Sequence, residues 1–380
     1  MIPSEKLTTW LTRLVQIPSV NPSQAGPRAG KPGEGRIAAE VAAWFEALGG
    51  QVHTEEVYPG RPNVYGVWPG QTERWCGVDV HTDTVGVEQM KGDPFSGEIR
   101  AGRLYGRGAV DTKATLAVIL ALLEAMHQAR LKPRPNLLIA ATANEEYGAQ
   151  SAPVFANWVL RQRIPLDQLI VAEPTLCHPV YGHKGGVRFE FQVKGHSSHS
   201  AKPHLGQNAI FAAAHLITAL EAEHQRLQTL PPQTPVGAPT LSVSIIHGGH
   251  GPNVVPDSCQ FFADRRSVPG ESLAEISAAM QELARRSCPL PVTVAALGSI
   301  EPFFQSPDTA WIRQLAAWSG REPATVPYAT NAWAYGELPG ECVVLGPGSI
   351  DQAHGDEEWV EISELEKLAD IYLRWWELSL

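Results

Sequence analysis

Apolar residues fall at helical spacing over residues 4–15, where Leu7, Trp10, Leu11, Leu14 and Val15 share one face, and again over 36–48. Strand-like runs follow in RPNVYGVW and WCGVDV. A strong helical stretch at 112–129 leads to two further buried-strand runs, NLLIAATA and LIVAEP. This alternation predicts βαβ units, a mostly parallel sheet covered by helices. GDPFSGEIRAGRLYGRG, rich in glycine, reads as a loop and short hairpin.

Near residue 182 the period changes. GVRFEFQVKG alternates apolar and polar, as a half-buried antiparallel strand does. A helical pattern at 206–227 and a Pro-rich loop at 230–239 precede the alternating strands TLSVSIIHGG and SCQFFADRRS. A helix at 271–287 and a strand at 291–297 complete an α+β sandwich. The tail VVLGPGSIDQAHG then resumes the buried-strand signal. The prediction is an α/β domain of 1–181 and 299–380 interrupted by an α+β domain of 182–298.

Composition narrows the class. The 380 residues suffice for two domains, and 43% hydrophobic with 18% charged residues is ordinary for a globular protein. A net charge of −10 leaves no electrostatic footprint for nucleic acid. Five scattered cysteines without a CxxC pair point to a reduced, cytoplasmic protein. The first twenty residues carry no apolar signal core. The longest apolar stretch, Ala114 to Met126, is too short to span a bilayer.

The chemistry lies in an ordered set of acids and imidazoles: His81 and Asp83, Asp111, Glu145 and Glu146, Glu173, and His354. Nearly all follow apolar runs, where a sheet delivers side chains to a shared crevice. Carboxylate and imidazole are donors that zinc accepts, so a dinuclear metal site is predicted. His81 and Asp83 share a strand face, which lets Asp83 fix the imidazole tautomer. Neighbouring Glu145 and Glu146 point to different sides, so one can ligate while the other stays free as a base. Two adjacent carboxylates at a strand end repel, and nearby cations would relieve them.

HTDTV, DPFSGEIRAGRLYGRGAVDTK, ANEEYG, EPT, GHKGG, GHSSHSAKPHLGQNAI, HGGHGPNVVPD, DRRSVPGE and LGPGSIDQAH run in order along essentially the whole chain. Together they resemble the aminoacylase/carboxypeptidase G2 class of metallopeptidases, within it the acetylornithine deacetylase and succinyl-diaminopimelate desuccinylase branch. The resemblance implies that Asp111 bridges two divalent ions, zinc first and cobalt second. His81 and Glu173 would complete one site, Glu146 and His354 the other. It makes Glu145 the general base, Asp83 the orienter of His81, and His199 an oxyanion donor to the partner subunit's site. Lys184, Asn253, Arg266, Gly348 and Ser349 fall in motifs that line the substrate cleft in that class. Arg266 would grip a substrate carboxylate, with Arg265 its rival. The inserted domain would be a lid through which a homodimer forms.

Two departures from the pattern are Ala114, where relatives carry Gly, and TNAWAY at 330–335, which lacks the expected acidic segment. The implied activity is metal-dependent hydrolysis of an N-acyl amino acid, N-acetylornithine first, with a place in arginine biosynthesis. Desuccinylation of N-succinyl-diaminopimelate, release of an acylated lysine, and dipeptidase or carboxypeptidase action follow in that order. A catalytically inactive amino-acid-binding protein is the reading from another class. An intact Glu145 argues against it, because a binding module needs no free base beside metals.

Overall fold

A computed structural model describes residues 2–232 and 234–379. It divides into two compact units, one of Met1–Tyr181, Gln305–Ala324 and Thr330–Leu380, the other of Gly182–Phe304 and Thr325–Ala329. The chain thus leaves the first unit where the change of period falls. It returns at Gln305, six residues later than 299, the last strand of the second unit's antiparallel sheet running on to Ile300.

The first unit is built on four adjacent parallel strands, Asn136–Thr142, Trp75–His81, Gln168–Val171 and Glu341–Val344. All four are buried on both faces, which is why they read as unbroken apolar runs rather than alternating ones. Two antiparallel strands, Arg61–Trp68 and Gln51–Tyr58, extend one side. Gln51–Tyr58 was not foreseen. It is an outer strand of sequence QVHTEEVY with no fully buried residue, so burial left no pattern in it.

Helix Lys113–Gln128 buries nearly its whole circumference, which explains its apolar composition all round. Helix Ser4–Val15 buries the five residues its spacing picked out. The hairpin Ile99–Arg100 with Arg103–Tyr105 forms as expected. Helices Ser151–Gln162, Ala310–Ser319 and Ile362–Trp375 complete the unit and went unread in the sequence. None of the described helices is long and apolar enough to cross a membrane. All five cysteines are free.

The second unit is an antiparallel sheet ordered Thr240–Gly248, Ser258–Arg266, Gly186–Lys194, Val292–Ile300. Helices Ala209–Gln228 and Leu273–Ser287 cover one face. Each begins two or three residues later than periodicity suggested, because a polar side chain caps it there. Asn208 accepts from the N–H groups of Ile210 and Phe211, and Ser272 from that of Glu275. Val187, Phe189, Phe191 and Val193 alternate into the core, where Phe191 stacks on Phe261 with ring centroids 4.7 Å apart.

Phe191→Ala should therefore cost about 3–5 kcal/mol, the usual penalty for emptying a large core site. Urea unfolding followed by far-ultraviolet circular dichroism measures it. A loss below about 1 kcal/mol would contradict the core placement.

Candidate metal centre

The parallel strands end on a common rim, and the sequence places its chemistry just beyond those ends. His81 is the last residue of its strand. Glu145 and Glu146 follow Thr142 by three and four residues, and Glu173 follows Val171 by two. Asp111 comes from elsewhere, immediately before helix Lys113–Gln128, where the N-terminal dipole favours a negative charge. His354 lies ten residues past Val344 in a loop, with a positive φ of 61°.

Two donor triads result, His81–Asp111–Glu173 and Asp111–Glu146–His354, each with one ligand atom per residue within 4.8 Å of the others. His81 Nε2 lies 3.0 Å from Asp111 Oδ1, and His354 Nε2 lies 3.2 Å from both Asp111 Oδ2 and Glu146 Oε2. Asp111 thus turns one oxygen to each triad. Glu145 belongs to neither.

The electrostatics fit cations. Among the described residues no Lys or Arg bonds to Asp111, Glu145, Glu146 or Glu173. Burial, then the neighbouring acids, pushes the Glu145 carboxyl up to about 8 despite the opposing pull of His81. Glu146 is pushed to about 7 by burial and then by Asp111, and Glu173 well above the usual range for the same reasons. His354 rises to about 11 through its hydrogen bonds to Asp111 and Glu146. Burial opposes charge on His81, yet Asp111 and Asp83 hold its pKa well above normal. Asp111 stays ionised: its imidazole partners outweigh burial. Oxygen-rich, imidazole-containing and without a bonded Lys or Arg among the described residues, the site suits divalent ions such as zinc.

Asp83 has a second task that its spacing from His81 did not reveal. Its carboxylate accepts from the N–H groups of Glu145 at 2.9 Å and Glu146 at 3.1 Å, and from Asn21 Nδ2 at 2.8 Å. His81 Nδ1 is 3.1 Å from the Asp83 main-chain oxygen and 3.6 Å from its carboxylate. A proton on Nδ1 aimed at that carbonyl leaves Nε2 bare toward Asp111.

Gly348 and Ser349 shape the loop that leads to His354. Gly348 has a φ of 73°, and a Cβ there would lie 2.4 Å from Val110. Ser349 forms a capping box with Gln352.

The remaining predicted residues belong to the second unit. His199 and Asn253 sit on adjoining stretches of a short ribbon, where Ser200 N donates to Asn253 O. His199 is exposed, and its Nδ1 accepts from Ala201 N at 3.0 Å, so Nε2 carries the proton. Lys184 donates to Ala238 O, and its pKa is lowered by burial, then by Arg266 and Arg265. Arg265 is buried and ion-paired to Glu271, whereas the half-exposed Arg266 keeps company with Asp264. Of the two, Arg266 is the more exposed, its side chain 35% against 4% for Arg265.

The family model described as Peptidase family M20/M25/M40 matches residues 77–378. The chain belongs to that family. It is 32% identical over 353 residues to an acetylornithine deacetylase of Aliivibrio salmonicida, covering 89% of this chain and 90% of that protein. To the acetylornithine deacetylase of Myxococcus xanthus it is 33% identical over 307 residues, 77% of each. A tripeptidase from Staphylococcus aureus has the same fold, with a TM-score of 0.79 at 21% identity, over 98% of this chain and 97% of that one. This M20 chain is accordingly a metal-dependent amide hydrolase.

Metal uptake should release protons and weaken in acid. Glu146, raised to about 7, Glu173, raised above the usual range, and His354, raised to about 11, must lose their protons before ligating, so affinity climbs as pH rises from below 7 and weakens in acid. Zinc binding to chelator-treated protein at pH 6 and pH 8, with proton release followed by an indicator dye, reads this directly. Equal affinity at both pH values would contradict it.

Proposed function

We propose that this chain hydrolyses an N-acylated amino acid to a free α-amine and a carboxylate, with N-acetylornithine the first substrate. Glu145 carries the reading: a carboxylate on the rim of both triads, outside either donor set, held by Asp83 through its own N–H. The substrate follows from the deacetylases to which the chain is 32–33% identical.

His81, Asp111 and Glu173 would hold one divalent ion, and Asp111, Glu146 and His354 the second, zinc before cobalt. When bound, such ions supply Lewis acidity, acidifying the attacking water and polarising the amide carbonyl. Glu145 takes the water's proton and returns it to the departing amine. Asp83 steadies the doublet by accepting from both main-chain nitrogens. His199, with its proton on Nε2, donates to the oxyanion. Arg266 offers its fork to the substrate carboxylate, and Lys184 adds positive charge beside it.

The working form is proposed to be a cytoplasmic homodimer joined through the second unit, with His199 serving the partner subunit's site. The outer strand Thr240–Gly248 supports this. It leaves one edge unpaired and exposes Ile245 and Ile246 by 48% and 51%.

Glu145→Gln should retain both ions and lose several orders of magnitude in kcat, because proton transfer alone is removed. Elemental analysis alongside turnover of N-acetylornithine, N-succinyl-diaminopimelate and dipeptides checks both base and substrate. Loss of metal in Glu145→Gln with retention in Glu146→Gln would reverse the assignment.

His199→Ala should lower kcat about 10²–10³-fold with metal content unchanged. Mixed with Glu145→Gln chains it should recover about a quarter of wild-type activity, since about half the dimers are mixed and each has one whole site. Absence of recovery despite proven subunit exchange would remove His199 from the partner's site.

A further inference from the structure

Three separate segments must meet for the second triad to form, and its weakest member is His354. The His354 side chain is 50% exposed, while those of Asp111 and Glu146 are 5% and 6% exposed. It stands on an irregular loop rather than a strand end. Its neighbour Gly355 is gripped by one buried guanidinium. Arg107 Nη2 donates to Gly355 O at 3.2 Å and to Gly86 O at 3.0 Å, in the loop that follows Asp83. Arg107 Nη1 pairs with Glu358 Oε2 at 2.6 Å, and both residues are 2% exposed or less. The other Glu358 oxygen accepts from Val110 N at 3.0 Å and Asp111 N at 3.2 Å. Gly106 N donates to the Glu358 main-chain oxygen at 3.0 Å.

We infer that the Arg107–Glu358 pair is a positioning element that brings Asp111 and His354 to one point and so sets the affinity of the second metal site. A buried ion pair is a poor source of stability, because desolvation offsets its attraction. Its geometry is what distinguishes this one. A planar fork with five donors in fixed directions holds carbonyls of two loops and a carboxylate in one geometry, whereas the three donors of an ammonium turn on a flexible stem. The carboxylate in turn fixes the main chain at Asp111 itself. The first triad depends on the pair less, since His81 ends a strand and Glu173 closely follows one. The Lys91–Asp356 pair grips the same loop from outside, but its side chains are 69% and 56% exposed, so it positions little.

The inference rests on the metal reading of Asp111, Glu146 and His354, and one experiment separates the two. Zinc binding to chelator-treated wild type, Arg107→Lys, Glu358→Gln and Lys91→Ala is measured by equilibrium dialysis, with the absorption spectrum of the cobalt-loaded forms as a second readout. Wild type and Lys91→Ala should bind two ions alike. Arg107→Lys and Glu358→Gln should keep the tighter ion and bind the other about 10–100-fold more weakly, the usual effect of losing a partner behind a ligand. One cobalt band should change and the other persist. Arg107→Lys keeps the charge and Glu358→Gln the shape, so if circular dichroism shows one unfolded, the other decides. Wild-type affinity at both sites in a folded variant overturns the positioning role, and so does parallel weakening of both sites. Fewer than two ions on the wild type would instead remove the metal reading, and the pair's role with it.

Discussion

The structure of the first unit turns on one electrostatic constraint: carboxylates converge at a sheet rim, and among the described residues no Lys or Arg bonds to those of the two triads or to Glu145. Asp111 sits at the centre, one oxygen toward His81 and the other toward His354 and Glu146. Crowded acids in a partly dry site raise one another's proton affinity, as Glu145 and Glu146 show. Such a cluster persists only if the scaffold holds it and cations satisfy it. The helix that starts just after Asp111 contributes its positive end, and protons held on the raised carboxyls and imidazoles, or divalent ions in their place, supply further compensation.

The scaffold does its holding through main-chain groups more than through the ligands themselves. The turn before the Glu145–Glu146 doublet passes through Asn144 with a φ of 56°, an uncommon conformation for a side-chain-bearing residue. Buried Glu34 accepts from Asn144 N, and Arg61 bonds to both Glu34 and Asn144. Asn21 joins Asp83 to Asn144. The doublet is thus clamped before and along its backbone, with Glu146 in a donor triad and Glu145 outside both.

The segment 330–335 finds its explanation at a different level. Asn331 Nδ2 and Tyr335 OH both donate to Asp79, as does Thr142 Oγ1. Asp79 lies in strand Trp75–His81, two residues before His81, fully buried and with its pKa raised by that burial. An acidic residue in TNAWAY would confront that carboxylate at close range. The neutral side chains found there are donors matched to it.

The sequence by itself determined which residues stand at or just beyond strand ends, because fully buried parallel strands are continuous apolar runs and the first acidic or imidazole side chains past each run stand out. His81, Glu145, Glu146 and Glu173 were legible for that reason, and the change to a two-residue period marked the second unit at Gly182. Outer elements were not legible: Gln51–Tyr58 buries too little to impose a pattern. Helix starts slipped by two or three residues because caps such as Asn208 and Ser272 act one hydrogen bond at a time. Only the tertiary structure decided that Asp111 faces both triads and that Asp83 reaches the nitrogens of Glu145 and Glu146. It also decided that Arg107 meets Glu358. These pairings join residues 30 to 251 positions apart, and each is fixed by the three-dimensional meeting of loops rather than by any local periodicity.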